Sequence, residues 1–299
     1  MLKGTSEYCA DFLGCVETFP RMSGNKEIPS GIIPGSFPDF RRGEVTVLAA
    51  LPGNGKTAFL VSAIDNILSA GRHGVAVFLP GISQKEFMGR LLAVRAGVDY
   101  MTSNIHNEGA GWEKLLAASR ELSKSALCLS PRKFVCPDDI FEDIGEIRKE
   151  LEQKKKELGI IFIDSLDSML EAGVPDGDIN FVLEALRSLA QEWNIAVVCT
   201  LRTRPESGFE NVNYEVRNLR ATGINEDNLG AAYFLRFKKD SSRNNINQEV
   251  ELHLAWNNFG RFGERTTIVF NTRTCGFLAV KRFQVLKDLP EEKVNPVVQ

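Results

Sequence analysis

Ala50-Leu51-Pro52-Gly53-Asn54-Gly55-Lys56-Thr57 joins two segments of different character. Before it, Glu44-Val45-Thr46-Val47-Leu48-Ala49-Ala50 is the β-branched, apolar run of a buried parallel strand; after it, Thr57 to Leu68 has helical spacing. A glycine-rich turn between strand and helix, closed by Gly-Lys-Thr, is a phosphate-binding loop. Glycine lets the main chain take positive φ and turn its N–H groups toward phosphate oxygens. Gly53, Asn54, Gly55, Lys56, Thr57 and Ala58 are therefore the candidate nucleotide contacts. Lys56 reaches the β- and γ-phosphates, and the Thr57 hydroxyl serves Mg²⁺. Ala50 stands where the general pattern has glycine.

A partner carboxylate should follow on a neighbouring strand. Gly159-Ile160-Ile161-Phe162-Ile163-Asp164 supplies it: four apolar residues ending in an aspartate placed to order Mg²⁺ opposite Thr57. The expected cofactors are ATP and Mg²⁺.

The remaining chain fits a large α/β domain. At 299 residues it can bury a full core, and 43% apolar with 25% charged residues is ordinary globular composition. A net charge of −3 offers no global field for nucleic acid, so any such contact needs a local basic patch. No apolar run approaches the roughly 20 residues that span a bilayer and no signal-peptide pattern opens the chain, so a cytoplasmic location is expected. The six cysteines form no CxxC pair and read mostly as small core residues.

Along the chain, Cys9, Phe12, Leu13 and Val16 make one apolar helical stripe, which could fold back on its own domain or dock on another subunit. Further strands are expected at Val75–Leu79, Ala126–Leu129 and Ile195–Thr200. Helices are expected after Ser83, over Trp112–Leu122, from Pro137 to an end at Lys154-Lys155-Lys156 with Ile140, Ile144, Ile147 and Leu151 on one face, and over a segment with Phe181, Leu183, Leu186, Leu189 and Ala190 in its core. Glu206–Arg217 reads as a loop. Ala231–Phe237, Glu249–Trp256 and Thr266–Phe270 read as strands extending the sheet antiparallel at its edge. The alternation predicts a mostly parallel central sheet with helices on both faces. The expected organisation is an N-terminal segment (1–26), one nucleotide-binding domain (27–283) and a tail (284–299).

Ile28-Pro29-Ser30-Gly31, Arg42-Gly43-Glu44, the stretch Ala49–Phe59, Ile161-Phe162-Ile163-Asp164-Ser165-Leu166 and Leu219–Glu226 together resemble the C-terminal motor domain of DnaB-type replicative helicases. The resemblance implies a RecA-like fold, a hexameric ring with ATP at subunit interfaces, and single-stranded DNA in a central channel. The Cys9–Val16 helix would be similar to the family's linker helix. A recombinase- or clock-protein-like relative shares the loop but not the flanking segments.

The sequence departs from that pattern in the hydrolytic apparatus. Gly81 stands where the family has a water-activating glutamate, and Asp167 is the substitute the sequence offers, better placed than Glu86. Arg202 aligns with the family's phosphate-sensing glutamine. Trp256-Asn257-Asn258 aligns with the stretch carrying the family's trans-acting lysine and arginine, with Arg261 and Arg265 nearby. Lys56, Asp164, Asp167 and Arg202 are the candidate catalytic groups; Arg202, Arg204, Arg217 and Arg220 are the candidates for nucleic-acid contact. Two functions follow: an ATP-driven protein acting on single-stranded DNA, or a non-catalytic nucleotide-binding partner of a helicase.

Overall fold

The computed structural model describes residues 27–32, 40–100, 109–171, 178–203, 219–220, 222–238, 245–260 and 262–278. The Cys9–Val16 stripe, the Glu206–Arg217 loop, the tail, and Arg204, Arg217 and Arg261 lie outside the described residues.

A short antiparallel pair, β1 (Glu27–Ile28) and β2 (Phe40–Arg41), leads into β3 (Val45–Ala50), buried at every position. From there strands and helices alternate: α1 (Lys56–Ala70), β4 (Gly74–Phe78), α2 (Gln84–Ala96), α3 (Ala110–Ser123), β5 (Leu127–Leu129), α4 (Pro137–Gln153), β6 (Leu158–Ile163), α5 (Leu166–Glu171), α6 (Ile179–Trp193) and β7 (Ala196–Arg202). After a 3₁₀ turn at Glu226–Asn228 come β8 (Ala231–Phe237), β9 (Asn247–Asn257), β10 (Arg265–Asn271) and β11 (Gly276–Leu278). The nine-stranded sheet runs β11-β10-β9-β8-β3-β7-β6-β4-β5. Strands β8 through β5 in that order are mutually parallel.

The alternation of side chains along these strands splits the core in two. Val197, Cys199 and Leu201 of β7 join α4 and α6 on one face, whereas Ala196 and Val198 join α1 and α2 on the other. A parallel sheet covered on both faces accounts for the near-continuous apolar runs in the sequence. Local signals also set the helix ends. The Ser83 hydroxyl accepts the Glu86 N–H at 3.2 Å, and Pro137 opens α4, where the Asp139 carboxylate accepts the Cys136 N–H at 2.8 Å. Gly71 and Gly97 close α1 and α2 with positive φ.

Three features differ from the sequence reading. Strand β8 is parallel to β3, with Thr46 opposite Ala231 and Ala49 opposite Phe234; only β9, β10 and β11 are antiparallel. The long 203–230 connection carries the chain back to the level where β3 begins, whereas the short links beyond β8 permit only hairpins. Phe181 is not in the core of α6: it is 57% exposed, and Ile179 and Val182 complete the buried face with Leu183, Leu186, Leu189 and Ala190. Two residues before Leu183, it points about 200° away around the helix. The short helix α5 and strand β11 carry no periodicity long enough to be read.

Candidate functional site

The glycine-rich loop leaves the C-terminal end of β3 and enters α1 directly. Gly53 and Gly55 have φ of 77° and 80°, the left-handed region that favours glycine, and Gly55 is the N-cap of α1. A Cβ on Gly55 would stand 3.4 Å from the Phe277 ring, so space as well as conformation restricts that position. Strand β11 is held there because the Phe277 N–H donates to the Ser62 hydroxyl of α1 at 2.8 Å.

Lys56 Nζ folds back onto the loop, donating to the Ala50 and Leu51 carbonyls at 2.9 and 3.1 Å. Burial pushes its pKa down; the Asp164 and Asp167 carboxylates oppose that shift, and the Arg202 charge adds to it. A further negative group brought beside this half-buried ammonium would offset the cost of its burial.

Asp164 follows the last residue of β6 and is itself buried. Its Oδ2 accepts the Thr57 hydroxyl at 2.6 Å and its Oδ1 accepts the Thr200 hydroxyl at 2.5 Å. Strand β7 lies between β3 and β6, with Thr200 opposite Leu48 and Cys199 opposite Ile163. The sheet order therefore places Thr200 between the phosphate loop and Asp164. The peptide that follows Asp164 is cis. The sequence reading found Thr57 and Asp164 but missed Thr200, which reads locally as one more β-branched strand residue.

Asp167, near the start of α5, uses Oδ2 to accept the Arg202 N–H at 2.8 Å. It thus ties α5 to the end of β7 and adds its field at Lys56. The Arg202 side chain is exposed at that strand end, where ligands bind in open α/β sheets. The adjoining Thr203 N–H donates to the Ala50 carbonyl at 3.0 Å, the acceptor that Lys56 also uses.

Gly81 lies in the turn between β4 and α2, its N–H donating to the Asp164 carbonyl at 3.1 Å. A Cβ there would stand 2.8 Å from Ser168 Oγ and 3.3 Å from the Asp164 carbonyl oxygen. The close approach of the two backbones, and the Ser168 side chain, account for glycine at this position.

The other candidate cations are more dispersed. Arg220 makes a forked pair with Glu226, Nε lying 2.9 and 3.0 Å from the two carboxylate oxygens while Nη2 also bonds Oε1. That pairing raises the Arg220 pKa and lowers that of Glu226. Arg265 lies 3.8 Å from Glu251 across its own hairpin. Trp256-Asn257-Asn258 ends β9 at the far end of the sheet. Asn257 is opposite Ala231, Ala231 is opposite Thr46, and the Asn258 N–H donates to the Gly230 carbonyl at 2.9 Å. The length of β3, roughly 20 Å, separates this turn from the phosphate loop of the same chain.

The sequence reading puts most of the six cysteines in the core; of the four described, Cys128 and Cys199 are buried there, whereas Cys136 and Cys275 are only half-buried. Burial pushes the Cys128 thiol up to about 12 and raises that of Cys199 as well, which disfavours the reactive thiolate at both. Cys136 instead caps α4 and Cys275 lies in a turn. Among the described residues no helix is long and apolar enough to cross a membrane, and no three His, Cys, Asp or Glu side chains gather as a metal site.

The structure of a DnaB-like replicative helicase, described together with its interactions with primase, superposes with a TM-score of 0.72 at 18% identity, covering 93% of this chain and 67% of that one. A second solved structure, an ATPase domain, gives 0.71 at 18% identity, covering 93% and 99% of the two chains. A KaiC-like protein from Pyrococcus horikoshii gives 0.55 at 16%, covering 84% and 97%. These establish a RecA-like α/β fold. In sequence, the chain is 28% identical to the replicative DNA helicase DnaB of Rickettsia bellii over 214 residues, covering 66% of this chain and 41% of that protein. It is 24% identical to that of Geobacillus stearothermophilus over 238 residues, covering 75% and 50%. The chain thus spans about half the length of these curated relatives. Residues 36–278, from just before β2 to the end of β11, match the family model of the DnaB-like helicase C terminal domain, and the chain is a divergent member of that family.

Proposed function

We propose that this protein binds ATP with Mg²⁺ at the loop after β3 and uses the bound nucleotide to act on single-stranded DNA in replication or a related process. The observation that carries the reading is the 2.6 Å bond between Thr57 and Asp164, which brings two motifs 107 residues apart into one site. Hard oxygen donors on Thr57 and Asp164 suit Mg²⁺, which is commonly held by one or two protein oxygens together with substrate phosphates. Bound there, the ion would neutralise phosphate charge and orient the triphosphate. The N–H groups of residues 53–58 surround the phosphates and Lys56 neutralises them.

Asp167, whose second oxygen is not engaged by Arg202 N–H, is the carboxylate available to orient an attacking water. Arg202, exposed at the end of β7, is the cation offered in place of the family's glutamine to sense the γ-phosphate alongside Lys56. Arg202, Arg204 and Arg217 are the proposed DNA contacts, and Arg220 could join them only by leaving Glu226. A ring of copies, hexameric as in the family, would place these groups around a channel. DNA binding of this kind weakens steeply with salt, because each phosphate contact releases a counterion.

Gly81 and its packing against Ser168 support a second reading, in which nucleotide sets the shape of a regulatory partner of a helicase and turnover is slow. Steady-state ATP hydrolysis with and without single-stranded DNA, with Lys56→Ala as the blank, separates the two. DNA-stimulated turnover lost in the variant supports the motor. Turnover equal to the blank with nucleotide binding intact supports the regulator, and absence of nucleotide binding overturns both.

A further inference from the structure

We infer that Thr200 is a positioning residue for the metal site: its hydroxyl orients the Asp164 carboxylate so that the oxygen facing Thr57 is presented to Mg²⁺. The inference deepens the proposed nucleotide reading and rests on it.

Alternation along β7 puts Thr200 on the same face as Ala196 and Val198, both packed in the apolar cluster with α1. At 0% exposure, a hydroxyl in such a row is unfavourable unless it is bonded, and valine would fill the same space without that requirement. The bond it makes is to Asp164 Oδ1, at 2.5 Å. The other carboxylate oxygen accepts from Thr57, at 2.6 Å.

The two hydroxyls therefore hold the carboxylate from both sides, one from the strand between the motifs and one from the first turn of α1. Thr57 must engage the ion, but Thr200, fully buried, has no path to it. Its contribution acts through the carboxylate. Loss of a partner that orients a metal-binding carboxylate costs roughly 10–100-fold in metal affinity.

The test is a titration of Mg²⁺ into the full chain with a fluorescent ATP analogue, comparing wild type, Thr200→Val, Thr200→Ser and Lys56→Ala. The expected result is a rise of roughly 10–100-fold in the Mg²⁺ concentration for half-maximal binding in Thr200→Val. Metal-free nucleotide affinity in EDTA should stay unchanged, and Thr200→Ser should return close to wild type. Thr200→Ala carries the same arm if the valine variant does not fold. A wild-type Mg²⁺ midpoint in a folded variant lacking the hydroxyl overturns the inference, as does failure of serine to rescue. Lys56→Ala reports on the underlying reading instead: if wild type binds the analogue no better than Lys56→Ala, the nucleotide site itself is wrong.

Discussion

Between Asp164 and Gly81, the space that a side chain at position 81 would use is already taken by the Ser168 hydroxyl, 2.8 Å from where a Cβ would stand. Real Cβ atoms do not approach a neighbour so closely, so in Gly81→Glu the Ser168 hydroxyl must rotate away and the Asp164 carbonyl, 3.3 Å off, must yield by a few tenths of an ångström. We expect that variant to be destabilised and no faster in ATP turnover than wild type. With Ser168→Gly added, the carboxylate gains room, and turnover should rise at least about tenfold, short of the roughly 10²–10⁴ that a fully positioned base contributes. Single-turnover hydrolysis of the two variants checks this; equal rates would show that Ser168 is no obstacle. A second residue, Glu44, lies at the start of β3 with Oε2 buried and unpartnered among the described residues. Burial raises its pKa, against the opposing pull of Arg187 and Arg41. Folding therefore disfavours its charged form, a penalty full above the raised pKa and absent below the unfolded value near 4.5. Glu44→Gln should raise the thermal midpoint at pH 8, and its advantage should shrink as pH falls toward 4. A midpoint unchanged or lowered at pH 8 would mean that the two arginines outweigh burial.

Helix α6 shows what periodicity can and cannot deliver at the scale of an element. Its existence and most of its buried face are readable from the leucine spacing, yet hydrophobicity alone would place Phe181 in the core, and it lies outside. An aromatic ring on the wrong side of a short helix looks, in sequence, like one more core residue. The structure turns the distinction into a comparison: Leu186→Ala should cost about 2–5 kcal/mol, because it removes buried methyl groups from a site at 0% exposure. Phe181→Ser should stay within about 0.5 kcal/mol of wild type. Denaturant midpoints at constant slope measure both, and a large loss at Phe181 would show that its exposed ring is covered in solution. The phosphate loop is legible for the opposite reason, since glycine, lysine and threonine each have a chemical task there and the spacing is local. Thr200 is not, because its task emerges only when β7 is laid between β3 and β6.

For the molecule as a whole, the sequence shows the alternation of strands and helices but not the direction of β8, which depends on how far the 203–230 connection travels. That direction decides what β9 can do. With β8 parallel to β3, the turn after β9 falls beside the start of β3, opposite the end from which the phosphate loop leaves. A cation in this turn serves a phosphate only on another copy of the chain. Trp256 is a poor place to install one, since its ring packs on Phe262, with centroids 5.4 Å apart, and on the core below. Asn258 is exposed and is anchored through its backbone N–H at Gly230, so Asn258→Arg should fold normally. If copies associate head to tail around ATP, this arginine reaches the neighbour's triphosphate. Trans-acting arginines contribute roughly 10³–10⁵ in related enzymes, and one placed without its supporting contacts should still give about tenfold. The gain should appear only at protein concentrations where assembly is seen by light scattering, and vanish on dilution or when the variant is mixed with excess Lys56→Ala chains. A gain independent of concentration would mean that the arginine acts within its own chain, which the strand order forbids, and the assignment of β8 and β9 would have to be wrong.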